Sequence, residues 1–218
     1  MTLIPIKTPR FVKRMFPNYV WDIATTHKVI YLTFDDGPTP EITNWTLNLL
    51  KQYQAKATFF CIGNNIEKHP EIFQDILKDG HAIGNHTQNH VKGWKTNTDL
   101  YINETTQTQS IINAEIAKAN DYKRTKSYLF RPPFGKIKNK QGKALIALGY
   151  KIIMWDILAF DWKDTSPETC YKNAISKTSQ GSIVVFHDSV KAAKNMQYAL
   201  PRVLEHFSKK GYSFKALN

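Results

Sequence analysis

Apolar positions along this chain alternate between two spacings. Short unbroken runs, Val29-Ile30-Tyr31-Leu32, Thr58-Phe59-Phe60-Cys61-Ile62 and Ile183-Val184-Val185-Phe186, have the length and the β-branched or aromatic character of buried strands. Between such runs the spacing relaxes to that of a helix with one apolar face, as at Ile42, Trp45, Leu49 and Leu50. The pattern predicts strands over 29–34, 57–62, 81–84, 127–130, 151–155, 182–186 and 212–215. It predicts helices from Thr39 to about Tyr53, through Ile66, and over 70–78, 98–119, 139–148, 167–178 and 193–208. In the first of these, Thr39 reads as the cap and Pro40 as the first helical position. Strands alternating with helices imply parallel pairing through right-handed crossovers. About seven such units suit a closed or nearly closed α/β barrel better than an open sheet.

Composition narrows this to one domain. The chain has 218 residues, 42% of them apolar, and no Ser, Gly or Pro-rich linker divides it. Its two cysteines, Cys61 in an apolar run and Cys170 in a predicted helix, give no disulfide framework and read as ordinary buried thiols. No apolar stretch approaches the roughly 20 residues that span a bilayer, so no transmembrane segment is expected. Met1 to Trp21 carries scattered charges and prolines and no apolar core of a secretory signal, so the expectation is a cytoplasmic protein unless an export signal is missing. A monomer is expected. The net charge is +12, and it is uneven. Between Lys118 and Lys143, nine basic residues (Lys118, Lys123, Arg124, Lys126, Arg131, Lys136, Lys138, Lys140, Lys143) face the single acid Asp121, a local excess of +8. Such a field attracts anionic polymers, although a solvated helix face reads the same way. No nucleic-acid motif with interleaved aromatics accompanies the lysines, so no nucleic-acid partner is expected.

The chemistry is carried by residues at strand ends. Parallel strands would bring Asp35, Asp36, His86, Arg131, Asp156, Asp161 and His187 to one rim, where α/β sheets build their sites. Taken singly, each has a plainer reading. Asp-Gly-Pro after the first strand is good turn chemistry, His86 and His90 could be loop histidines, Arg131 a surface residue and His187-Asp188 a capped strand end. Together, one carboxylate and two imidazoles four residues apart make the donor set of a catalytic zinc-type site with open positions. Metal-dependent hydrolysis follows as the first reading.

Five stretches in order, Thr-Phe-Asp-Asp-Gly (33–37), His-Thr-x-x-His (86–90), Arg-Pro-Pro-Phe-Gly (131–135), Asp-Trp (161–162) and Ile-Val-Val-Phe-His-Asp (183–188), resemble the polysaccharide deacetylases of the NodB-homology type, a carbohydrate esterase family. The resemblance covers about residues 29–215. It implies a distorted, partly irregular (β/α) barrel over 29–218, with 1–28 as an N-terminal extension packed on it. It also implies one divalent metal, usually zinc, with cobalt or nickel as alternatives, and hydrolysis of N-acetyl or sometimes O-acetyl groups on a glycan such as peptidoglycan or chitooligosaccharide.

Position by position, the resemblance assigns Asp36, His86 and His90 to the metal, Asp35 to the general base and His187 to the general acid. Arg131 would pair with the base and Asp161 would orient the acid. Trp162 and Val185 would hold the acetyl methyl, with Pro132, Phe134 and Gly135 on the substrate side and the Phe134 N–H facing the oxyanion. The division suits amide hydrolysis, in which a metal acidifies water and polarises the carbonyl while an imidazole protonates the leaving nitrogen. Two departures concern substrate preference. Relatives often carry an aspartate where Leu158 stands, with Asp156 two places earlier here, and Phe134 replaces the commoner tyrosine. An inactive glycan-binding relative and a metal-dependent hydrolase of a small cyclic amide are the other readings.

Overall fold

A computed structural model of the chain describes residues 5–119 and 127–218. Eight strands are β1 (Val29–Asp35), β2 (Thr58–Cys61), β3 (Ala82–Asn85), β4 (Tyr128–Phe130), β5 (Tyr150–Ile152), β6 (Ile157–Leu158), β7 (Ile183–His187) and β8 (Ser213–Phe214). The helices are α1 (Arg10–Met15), α2 (Ile42–Gln52), α3 (Gly63–Lys68), α4 (Pro70–Lys78), α5 (Thr98–Ala117), α6 (Asn139–Ala147), α7 (Pro167–Ser176) and α8 (Ala193–Lys209). Seven strands lie in the order β5-β4-β3-β2-β1-β7-β6, all parallel, and β8 pairs with the start of β1. The sheet curls into an open, irregular α/β barrel, as expected.

The continuous apolar runs are buried on both faces of the parallel sheet, the outer face against the helices and the inner face within the curl, where Phe60, Leu129, Ile153 and Ile183 pack together. Ile30, Leu32 and Phe34 of β1 meet Phe59 of β2, Phe186 of β7 and Leu200, Leu204 and Phe207 of α8 in one fully buried cluster. Phe34 stacks on Phe59 at 5.0 Å and on Phe186 at 6.2 Å between ring centres. Each such side chain contributes about 1.5–3 kcal/mol on burial. Helix α5 differs, since its buried stripe (Tyr101, Glu104, Thr105, Thr108, Gln109, Ile112, Glu115) is mostly polar.

Three sequence expectations change. Helix α2 begins at Ile42, because Glu41 takes a left-handed conformation (φ 65°) and interrupts the turn that Thr39 would cap. Thr39 acts instead through its backbone, its N–H donating to Thr43 Oγ1 and its C=O accepting from the Thr43 N–H. The strand expected over 151–155 ends at Ile152, and a separate two-residue strand, β6, follows at Ile157.

Asp156 therefore sits at the amino end of β6 and not on the catalytic rim. Its backbone N–H donates to Ile183 and its carboxylate accepts from Ser182 Oγ at 2.6 Å, both at the start of β7, while Lys13 and Lys7 approach to 2.6 and 3.1 Å. Those lysines belong to the N-terminal segment, which bridges the two open edges of the barrel. Ile6 and Thr8 bond along β6, with Leu158 N–H donating to Ile6 C=O at 2.9 Å, and Val20 bonds to Ile152 and Met154 beside β5.

Candidate active site and metal centre

Register brings the rim together. Asp35 and His187 end adjacent strands as paired positions, and Asn85 pairs with Phe130, so that His86 and Arg131 emerge side by side from β3 and β4. His86 Nδ1–H donates to the Arg131 carbonyl at 2.8 Å, which turns the Nε2 lone pair inward. Asp36 Oδ1 lies 3.6 Å from His86 Nε2 and 3.3 Å from His90 Nε2. One potential ligand atom from each of the three lies within 4.8 Å of the others. Asp36 Oδ1 is buried with no hydrogen-bond partner, an orphaned acceptor aimed at two imidazole nitrogens. That donor set fits a divalent cation. Burial holds the His86 imidazole at about 4, against the pull of Asp35 and Asp36, and lowers His90 as well. Both shifts favour the neutral form a metal requires.

Two buried couples flank this centre. Arg131 is fully buried, and it donates to Asp35 Oδ1 and Thr33 Oγ1 at 2.7 Å and to the carbonyls of Ile153 and Met154 at 3.2 and 2.8 Å, with its guanidinium carbon 4.1 Å over the Phe60 ring. Burial raises the Asp35 carboxyl, but Arg131, with His86 and His187, outweighs it and holds the group below its ordinary value. On the other side Asp161 accepts from His187 twice, from the backbone N–H at 2.6 Å and from Nδ1–H at 2.9 Å. Burial disfavours the imidazolium, yet Asp161 prevails and lifts His187 to about 9.

The expected substrate residues gather around the same centre. Trp162 stands against the His187 ring at 4.6 Å, and Val185 packs with Leu158 and Phe160 beneath it. Pro132 leads into a short 3-10 turn, Pro133–Gly135, in which Phe134 is left-handed (φ 58°) and 56% exposed, its ring centre 4.6 Å from that of His90 and tilted 49° to it. Gly135 cannot carry a side chain, because a Cβ there would meet the Trp155 ring at 2.2 Å. Trp155 joins the Val185 cluster on one side and touches Gly135 on the other, a wall residue the sequence reading did not single out.

Asp188 was also missed as a support. It accepts from the Gly37 N–H at 3.1 Å and from Thr43 Oγ1 at 2.5 Å, and burial with the charges of Asp36 and Asp35 pushes its carboxyl to about 7 against the Thr43 bond. Its place directly after His187 was the available signal.

Among the described residues the basic segment does not form one patch. Arg131 is spent on Asp35, Lys118 pairs with Glu115 on the last turn of α5, and Asp121, Lys123, Arg124 and Lys126 lie outside the described residues. Lys92 stands over the Phe134 ring at 4.8 Å and so borders the site, while Lys136 stands over the Trp94 ring at the same distance.

The sequence model of the polysaccharide deacetylase family matches residues 22–153. The chain belongs to that family. It is a polysaccharide deacetylase, a hydrolase of the carbohydrate esterase class. A peptidoglycan-N-acetylglucosamine deacetylase of Bacillus cereus is 32% identical over 196 residues, which cover 89% of this chain and 88% of that protein. The peptidoglycan-N-acetylmuramic acid deacetylase PdaC of Bacillus subtilis is 31% identical over 87% of this chain, which spans 38% of that longer protein. A crystal structure of a peptidoglycan N-acetylglucosamine deacetylase superimposes with a TM-score of 0.84 at 32% identity, covering 96% of this chain and 95% of that one. The family and the donor set together make this deacetylase metal-dependent.

Proposed function

We propose that this deacetylase acts on peptidoglycan, hydrolysing the N-acetyl amide of its amino sugars to acetate and a free amine. The observation that carries the reading is the orphaned Asp36 oxygen facing His86 and His90 between one ionised carboxylate and one protonated imidazole. Asp36, His86 and His90 hold the cation, most simply zinc, which supplies Lewis acidity towards the amide carbonyl and lowers the pKa of water. Asp35 takes the proton of the attacking water, and Arg131 keeps that carboxylate ionised. His187, held by Asp161, gives its proton to the departing nitrogen. Trp162, Val185 and Trp155 enclose the acetyl methyl, and the Phe134 N–H donates to the oxyanion.

Asp36 and His90 are half-buried and Phe134 is exposed, an open rim that admits a sugar within a polymer; a small cyclic amide would call for a closed pocket. The relatives act on peptidoglycan by name, and Lys92 suits an anionic strand. Acetate release from acetylated glycans, measured after chelation and again with added zinc, cobalt or nickel, tests this. Activity should vanish with chelator and return with metal, and His86→Ala should lose both metal and turnover. Metal at full occupancy in His86→Ala would overturn the ligand assignment, and acetate from chitooligosaccharide but not peptidoglycan would overturn the substrate.

A further inference from the structure

We infer that Glu104 of α5 is the positioning residue for His90, a role that rests on the reading of His90 as a metal ligand. The turn from His86 to His90 is an uncommon one, since Thr87 (φ 64°) and His90 (φ 53°) both lie in the left-handed region without being glycine. Such a backbone persists only where its surroundings fix it.

The first half of the turn is fixed by its own strand and by α3. Asn85 Oδ1 accepts from the Thr87 N–H at 3.0 Å, and the Gly63 and Asn64 N–H groups donate to the carbonyls of Thr87 and Gln88 at 3.0 Å. The Gln88 side chain lies between Glu67 (2.7 Å) and Thr108 (3.0 Å), so close to Gly63 that a Cβ there would be 2.0 Å from its oxygen.

Asn89, which leads directly into His90, accepts one bond from Asn64 Nδ2 at its Oδ1 and gives its backbone and side-chain donors to Glu104. One carboxylate oxygen accepts from the Asn89 N–H at 2.8 Å and the other from Asn89 Nδ2 at 2.9 Å, while the Glu104 carbonyl accepts from the Gln88 N–H at 3.1 Å. Glu104 is 8% exposed, and no Lys, Arg or His forms an ion pair with it among the described residues. A carboxylate is costly to bury without a cation. Here two donors satisfy it, and they are the donors that fix the turn. Glutamine has one acceptor, so it would keep both bonds only if the Asn89 amide turned over, and that would set the Asn89 NH2 against Asn64 Nδ2, which donates to Asn89 Oδ1 at 2.9 Å. His86 is held separately, by β3 and the Arg131 carbonyl, so loss of Glu104 should displace one ligand of three.

The test uses Glu104→Gln and Asn89→Ala. Zinc affinity is measured by competition with a chelator, and amide hydrogen exchange is followed in the metal-free protein. Glu104→Gln should bind zinc about 10- to 100-fold more weakly and should speed exchange over residues 88–91 with α5 and β3 unchanged. Asn89→Ala keeps the backbone bond to Glu104 and should show the smaller loss. Unchanged affinity with unchanged exchange over 88–91 would overturn the role, as would acceleration spread evenly over α5 and β3, which is what a merely structural residue gives. If the parent protein binds no zinc, the ligand reading fails, and exchange over 88–91 still decides whether Glu104 orders the turn.

Discussion

Asp35 and Asp161 sit on either side of the strand that ends in His187, both buried, and they behave in opposite ways. Asp35 faces a guanidinium that cannot lose its proton, so its carboxyl falls below the ordinary value and is ionised wherever the enzyme works. Asp161 faces an imidazole that can. Burial raises Asp161 itself, and its charge is expressed as a histidine lifted to about 9. In the proposed mechanism two buried aspartates thus serve as a base and as the sponsor of an acid through the partner each was given, the logic by which one site holds both functions at a single pH.

The strongest break in this comparison is Asp35→Asn. It should keep the metal and lower kcat by about 10²- to 10⁴-fold. It should also lower stability by about 3–5 kcal/mol, since Arg131 is left buried without its counter-ion. Single-turnover acetate release and thermal unfolding of the zinc-loaded variant measure the two effects, and turnover within a few-fold of the parent would reduce Asp35 to a turn residue.

Asp161→Asn probes the other couple. With His187 required in its protonated form, the parent's rate should fall as pH rises through about 9. The variant's basic limb should move down by about 1–3 pH units, read from a kcat/KM profile. The sign also holds for folding. His187 titrates higher folded than unfolded, so its contribution to stability is complete below 6.5 and fades as pH rises through about 9. A basic limb that stays in place would separate Asp161 from the acid.

A third buried aspartate sharpens the contrast, because Asp156 has lysine partners and lies away from the chemistry. Asp156→Asn should cost about 1–3 kcal/mol, seen as a lower Tm, with kcat/KM unchanged within twofold. The smallest effect belongs to the surface lysines, of which Lys140 is exposed and Lys136 and Lys138 are partly buried. Replacing Lys136, Lys138 and Lys140 by Glu should remove a few-fold salt dependence of kcat/KM on anionic glycan and leave a neutral oligomer unaffected, because screening reaches about 8 Å at physiological ionic strength. Equal salt dependence on both substrates would make these lysines a solvated surface.

What was legible in the sequence follows the same division. Residues that end strands could be placed, because a run of apolar residues fixes where each strand stops and the parallel rule puts those stops on one rim. His86, Arg131 and His187 came together for that reason. Asp156 misled because β6 has only two residues, too few for a period, so the end of one strand could not be told from the start of the next. Glu104 was invisible for another reason. The stripe it shares with Thr105, Thr108 and Gln109 on α5 is buried yet polar, and polar residues at helical spacing read as a solvent face. Trp155, as a wall of the site, required knowing that Gly135 leaves no room between them.

The N-terminal bridge has a consequence for synthesis. Lys13 leaves the ribosome 143 residues before its partner Asp156, so any pairing of β1 to β4 during synthesis takes place while the segment that will tie β6 beside them hangs free. The barrel's edges cannot be covered until nearly the whole chain is out, and contacts of such long sequence separation form slowly. Unpaired strand edges are then exposed for the length of translation. For this protein, the interval between making a segment and using it is a period of aggregation risk written into the order of its elements.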